Sequence, residues 1–144
     1  MISLAEFLYD FGINTTSNFD LKDISRILEI KIKILMKNEL NELDINKINK
    51  PLIINLQNTN ENGSHWVLFY NFAYFDSYGI QPIKEIEDIV KVYNTIQIQP
   101  NNSKMCGQLC LYICYHLINR TFQNYEDLIL NTYDEMLDLL SLSN

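Results

Sequence analysis

The stretch "NGSHWVLFYNFAYFDSYG", residues 62–79, holds the key to the fold. Two apolar runs, "HWVLFY" and "YFDSY", rich in aromatic residues, flank a tight connection at Asn71-Phe72-Ala73. That pattern reads as a β-hairpin. It also carries two residues a purely structural hairpin does not need. His65 stands at the mouth of the first strand and Asp76 at the end of the second. On adjacent antiparallel strands the two come out as near-neighbours. A carboxylate after Tyr74-Phe75 in an apolar strand costs free energy unless it has a partner. A histidine oriented by a carboxylate is the second link of a catalytic triad. The bland readings stand beside these: His65 as a hydrogen-bonded surface histidine, and Asp76 as the opening residue of the turn "DSYG".

Working outward toward the N-terminus, Pro51 opens "PLIINLQ", a short strand with the unbroken apolar run of one buried on both faces. The segment "NTNENGS" between it and the hairpin is a loop of turn residues. "KIKILMK" (31–37) alternates basic and apolar residues as a strand does, against the opposing reading of one long helix to about Leu43. "NELNELDINKINK" reads as irregular. Residues 3–10 form a short amphipathic helix. A second helix runs from about Leu21 to Glu29, capped by Asp20 or Asn18, with Leu21, Ile24, Ile27 and Leu28 on one face.

Toward the C-terminus, "IKEIEDIVKVY" places Ile83, Ile86, Ile89 and Val90 at helical spacing, and "NTIQIQ" reads as a further strand. The loop "PNNSKM" then leads into residues 106–117, almost wholly apolar and therefore a helix buried in the core. Residues 124–140 form a last amphipathic helix, with Leu128, Leu130, Leu137 and Leu140 among its apolar positions. Helices, then a sheet, then helices make an α+β domain. Its 144 residues fit one domain, 1–144, around a single core.

Composition narrows the function. The net charge is −7, with 11 Lys and Arg against 18 Asp and Glu. Nucleic-acid binding needs clustered cations to displace counterions, so an acidic chain is a poor candidate for it. No run approaches the roughly 20 apolar residues of a membrane-spanning helix. The opening "MISLAEFLYDFG" has acids where a secretory signal has basic residues, so the chain reads as intracellular. Its three cysteines, Cys106, Cys110 and Cys114, lie four residues apart on one helix. An odd number so clustered is not a disulfide framework. Nor is it a zinc site: the stripe spans about 12 Å by the helical rise, and one ion cannot gather all three thiolates at about 2.3 Å. No cofactor is expected.

A cysteine nucleophile needs a thiolate, a base and donors for the oxyanion. Cys106 sits where the polar loop gives way to the buried helix. A helix N-terminus presents free N–H groups and partial positive charge, which favour a thiolate and an oxyanion alike. Gly107 follows, so the backbone there can come close to a substrate. Cys110 and Cys114, deeper in the helix, read as inert packing residues, and Cys106 alone could be a third. His116 is ten residues beyond Cys106, about 15 Å along the helix, and cannot be its base. Gln99, at the end of "TIQIQ", offers a side-chain amide to an oxyanion, and Gln97 competes for that role. Trp66 beside His65 reads, on its own, as core.

As a set, "GSHWVLFY", "YFDSYG" and "QPNNSKMCGQLC", in that order, resemble the adenovirus-type (adenain-like) cysteine proteases. The closest likeness is to the versions in virophages and Maverick/Polinton transposons, and the SUMO-specific proteases are more distant relatives. The resemblance covers about residues 51–118. More faintly, "NFDLKDISRILEIKIKILMKNEL" resembles the helix–strand lead-in of the transposon and virophage proteins, which supports the strand reading of 32–36.

The resemblance implies a cysteine-protease-like fold. A central mixed sheet would pack between an N-terminal helical part and the buried helix that carries the nucleophile. It implies His65 as general base, Asp76 as its orienting acid, Cys106 as nucleophile and Gln99, rather than Gln97, as oxyanion donor with the Cys106 N–H. Trp66 and Gly107 would meet the substrate. The implied activity is a viral endopeptidase that cuts capsid or other virion precursors after small residues such as Gly, at the assembly site in the infected cell and packaged in the virion. A peptide activator is compatible with the family. Two departures are visible: the adenovirus enzymes carry Glu where this chain has Asp76, as the SUMO proteases do, and this chain is shorter. DNA stimulation does not carry over to so acidic a chain. The same residues would serve a SUMO or ubiquitin-like isopeptidase or an acyltransferase, and a binding module on a dead protease fold is the remaining alternative.

Overall fold

The computed structural model describes residues 2–57 and 65–142; the loop read at 58–64 lies outside them. Helix α1 (Leu4–Phe11) opens with a capping box in which Ser3 and Glu6 satisfy each other's backbone N–H. Helix α2 (Asn18–Ile27) begins earlier than its apolar stripe suggests. Its cap is Ser17, and Asp20 answers from three residues on. Leu21 and Ile24 face the core, whereas Ile27 is exposed.

The sheet has five strands in chain order: β1 (Lys33–Met36), β2 (Leu52–Asn55), β3 (Trp66–Tyr70), β4 (Ala73–Phe75) and β5 (Val92–Tyr93). The middle three are antiparallel. The outer pairs, β1 with β2 and β4 with β5, are parallel, so the sheet is mixed. In the hairpin, Leu68 pairs with Phe75 and Tyr70 with Ala73. Asn71 and Phe72 both take positive φ, 51° and 66°, as the two central residues of a type I′ turn must. The Phe72 carbonyl accepts from the Lys91 and Val92 N–H groups, and the Lys91 ammonium sits 4.4 Å above the Phe72 ring. These contacts bring β5 alongside β4.

The pleat sorts the strands' side chains into two cores. On one face Ile53, Trp66, Leu68, Ala73 and Phe75 meet all four helices. On the other, Leu52, Ile54, Val67, Phe69 and Tyr74 are covered by Leu40, Ile86 and flanking residues of 43–48 and 83–90. Helix α3 (Cys106–Ile118) lies against β3 and is wrapped by α1, α2 and α4 (Tyr125–Leu142). The expected layering, with the sheet between the N-terminal helices and the nucleophile helix, is therefore corrected. Those helices share one face of the sheet, and 3-10 turns at Lys37–Glu42 and Ile45–Lys47 help to cover the other.

Two further expectations change. The helix expected over "IKEIEDIVKVY" is a run of turns, with a 3-10 turn at Glu87–Ile89, ending in β5. "NTIQIQ" forms no strand. In α4 the buried positions are Tyr125, Leu128, Ile129, Thr132 and Met136, while Leu130, Leu137 and Leu140 are exposed. Among the described residues no helix is long and apolar enough to cross a membrane.

Candidate active site

The hairpin delivers His65 and Asp76 to the same end of the sheet, one just before β3 and the other just after β4. His65 Nε2 lies 3.0 Å from Asp76 Oδ1. Asp76 is fully buried, and the same Oδ1 also accepts from the Tyr78 N–H at 2.8 Å. Its backbone carbonyl accepts from the Gly79 N–H at 2.8 Å. Asp76 is thus both the turn-opening residue and the partner of the imidazole.

Its backbone is fixed a second time. The Asn94 side chain accepts from the Asp76 N–H at 3.2 Å and donates to the Asp76 carbonyl at 2.6 Å. Tyr125 of α4 donates to both Asn94 Oδ1 and the Tyr74 carbonyl. Gly79 (φ +74°) closes the turn so tightly that a Cβ would stand 2.7 Å from the Thr95 carbonyl oxygen.

Cys106 is the first residue of α3, and its thiol is within hydrogen-bond reach of the His65 ring. With Nε2 committed to Asp76, Nδ1 is the nitrogen left for sulfur. Burial works against a charged imidazole, but hydrogen bonds to Asp76 and Cys106 and the charge of Asp76 outweigh it and raise the His65 pKa to about 9. The site therefore favours imidazolium at neutral pH. No side chain caps α3, so its first-turn N–H groups are not closed off by a capping residue. Cys110 and Cys114 are fully buried. Cys110 donates to the Trp66 carbonyl at 3.3 Å, and burial pushes its thiol well up and that of Cys114 up to about 12.

Gln99 is buried and borders the Cys106 cleft. Its Oε1 accepts from Ser77 Oγ at 2.6 Å, which turns the amide nitrogen toward the Cys106 cleft. That nitrogen donates to the Ser103 carbonyl at 2.9 Å and to the Tyr78 hydroxyl at 3.2 Å. Gln97 donates instead to the Gln99 carbonyl and to Asn101. Of the two glutamines, Gln99 lines the cleft. The cleft holds about 310 Å³ and is bounded by Thr15, His65, Tyr78, Gln99, Ser103, Lys104 and Cys106.

Trp66 and Gly107 are not among the residues that bound the cleft. Trp66 is buried, donates through Nε1 to the Thr16 carbonyl at 3.1 Å, and lines a neighbouring groove with Thr16, Ile34 and Asn55 rather than the Cys106 cleft. Gly107 lacks a side chain because another residue occupies that space: a Cβ there would meet Thr16 Oγ1 at 2.1 Å. Gln108 donates to the Asn14 carbonyl at 2.8 Å. Trp66, Gly107 and Gln108 together seat residues 14–16, and Thr15 in their midst forms one wall of the cleft.

Sequence reasoning missed Tyr78, Ser77, Asn94 and Thr15. Tyr78 sits inside the quoted "DSYG" and its aromatic ring was a usable signal. Asn94 and Thr15 come from distant segments and carry no local mark. Among the described residues no three His, Cys, Asp or Glu side chains gather as metal ligands do. Comparison with known protein-family models, curated proteins and solved structures finds no match.

Proposed function

We propose that this chain is a cysteine endopeptidase with Cys106 as nucleophile, His65 as general base and acid, and Asp76 as the acid that orients His65. One observation carries the reading. A single imidazole lies 3.0 Å from a fully buried carboxylate and within reach of a thiol at the start of a buried helix. A histidine serving only structure has no need of both.

In the reaction, the Cys106 thiolate attacks the peptide carbonyl carbon and the π pair moves to oxygen. The oxyanion is met by N–H groups of the first turn of α3 and by the Gln99 amide. Collapse breaks the C–N bond, and the leaving amine takes the proton from His65. Water, deprotonated by His65, then cleaves the thioester and returns Cys106. The substrates in this reading are capsid or other virion precursors cut after small residues such as Gly, at a viral assembly site and inside the particle. The fold is then of the adenain and SUMO-protease type. The sequence order of the pieces 65–79 and 99–110 supports this, together with the convergence of His65, Gln99 and Cys106 on one cleft.

The test offers the wild-type protein and Cys106→Ala three substrates side by side: Gly-Gly-X peptides from a capsid precursor, a ubiquitin-like fusion and an acetyl thioester. Peptide cleavage lost in Cys106→Ala supports the endopeptidase. Cleavage of the fusion alone moves the reading to an isopeptidase. Acetyl transfer from a thioester without any peptide cleavage moves it to an acyltransferase, and inactivity toward all three favours a binding module.

A further inference from the structure

The Gln99 amide nitrogen has two hydrogens and two acceptors already, the Ser103 carbonyl and the Tyr78 hydroxyl. An oxyanion at Cys106 needs one of them. The Ser103 bond is the shorter, at 2.9 Å, and its carbonyl belongs to the loop that leads into α3. The Tyr78 bond is longer, at 3.2 Å, and ends on a side chain that can rotate. Tyr78 is only partly buried and lines the cleft. Its ring also stacks on His65, with centroids 5.1 Å apart and planes 28° from parallel. One side chain therefore covers the base and occupies the oxyanion donor together.

We propose that Tyr78 is a built-in lid on the oxyanion site: its hydroxyl takes the place of the substrate carbonyl oxygen on Gln99 Nε2 and is displaced when substrate binds. The inference rests on the cysteine-hydrolase reading and deepens it. Tyr78 acts through Gln99 and is a positioning residue. Its turn keeps the backbone in place while the ring moves, because the Tyr78 N–H stays bonded to Asp76.

Tyr78→Phe keeps the ring and removes the competing oxygen, together with its long 3.4 Å hydrogen bond to the Ser103 carbonyl. The probe is N-acetylglycinal, a small aldehyde. Its carbonyl carbon bonds to the Cys106 sulfur while the π pair moves to oxygen, which yields a hemithioacetal oxyanion. Its dissociation constant is read from protection of Cys106 against iodoacetamide, each protein serving as its own reference. The lid predicts binding about 2- to 10-fold tighter in Tyr78→Phe, the range set by one net intramolecular hydrogen bond. In a Gln99→Ala background the same change should have no effect. In the free protein, Tyr78→Phe should also move one of the two Gln99 side-chain amide protons upfield in the ¹H–¹⁵N spectrum.

Equal or weaker aldehyde binding in Tyr78→Phe, no protection of either protein, or unmoved Gln99 resonances would overturn the lid while leaving a reactive Cys106 standing. If Cys106 in the unmodified protein alkylates no faster than a free thiol, the cysteine-hydrolase reading itself fails, and the lid with it.

Discussion

Gly107→Ala is the sharpest structural test of how the cleft wall is built. The added Cβ would lie 2.1 Å from Thr16 Oγ1 and 3.0 Å from Leu21 Cδ2, so either α3 or residues 14–16 must shift. Overpacking of a tight core costs about 1–3 kcal/mol. At about 2.1 cal/mol/K of unfolding entropy per residue, that lowers the Tm of a 144-residue domain by about 3–10 °C. Alanine's better helix propensity recovers at most about 1 kcal/mol. Thr16→Ala should remove most of the clash, because it deletes the oxygen at 2.1 Å, and that hydroxyl has no hydrogen-bond partner to lose. Thermal melts of the two single variants and the double variant therefore form a cycle. The double variant should be more stable than Gly107→Ala, and Cys106 alkylation should be disturbed in Gly107→Ala and recover in the double. A Gly107→Ala protein that gains no more stability from Thr16→Ala than the parent does would refute the close approach of Thr16, and with it the steric reason for glycine at that position.

Three further outcomes follow from the same geometry. The His65 pKa of about 9 lies above its unfolded value of 6.5, so its stabilising contribution is complete below about pH 6.5 and is lost as pH rises through about 9. Loss of activity on the alkaline side should follow that value and move down by at least about one unit in Asp76→Asn, as a pH–rate profile would show; an unmoved limb would assign it to another group. Asn94→Ala removes both hydrogen bonds to the Asp76 backbone and should cost about 2–4 kcal/mol in denaturant unfolding; a loss under about 0.5 kcal/mol, less than one net hydrogen bond contributes, would contradict the clamp. Cys110→Ala should lower stability by about 1 kcal/mol through lost packing and the bond to Trp66, and leave the chemistry to Cys106; lost peptide cleavage in a folded Cys110→Ala protein would count against that division.

How far the sequence can be read depends on whether its signal is local. The hairpin is legible because two short apolar runs flank a tight turn, and its register alone brings His65 toward Asp76. Helix α3 is legible as an unbroken apolar run. The segment 83–90 misleads for a physical reason. Ile83, Ile86 and Ile89 recur every three residues, and the Ile86 and Ile89 N–H groups bond back three residues to the Ile83 and Ile86 carbonyls. That is the 3-10 repeat, in which residues three apart eclipse. The burial inferred is real, since Ile86 is in the second core, but the helix is not. In α4 the leucines dominate the apolar pattern, yet Leu128 is the one among Leu128, Leu130, Leu137 and Leu140 that joins Tyr125, Ile129, Thr132 and Met136 on the buried face. At the site, the residues that do chemistry carry marks of their type: a thiol at a helix start, and a polar side chain in an apolar strand. The residues that hold them in place, Asn94, Ser77 and Thr15, are ordinary loop residues whose role exists only after folding. At Gly107 the close approach of Thr16 is invisible in sequence, where a glycine vacated for a neighbour looks the same as one vacated for a ligand.

The proposed chemistry turns on whether Cys106 and His65 form a reactive pair, and cysteine-resolved alkylation answers that without any substrate. The native protein is treated with limiting iodoacetamide from pH 5 to 9, and each cysteine is mapped by mass spectrometry. A paired thiolate reacts rapidly at Cys106, keeps reacting below pH 7 and slows in His65→Ala, with Cys110 and Cys114 silent throughout. A Cys106 that reacts only as a free thiol does, rising with pH and indifferent to His65, would contradict the pair.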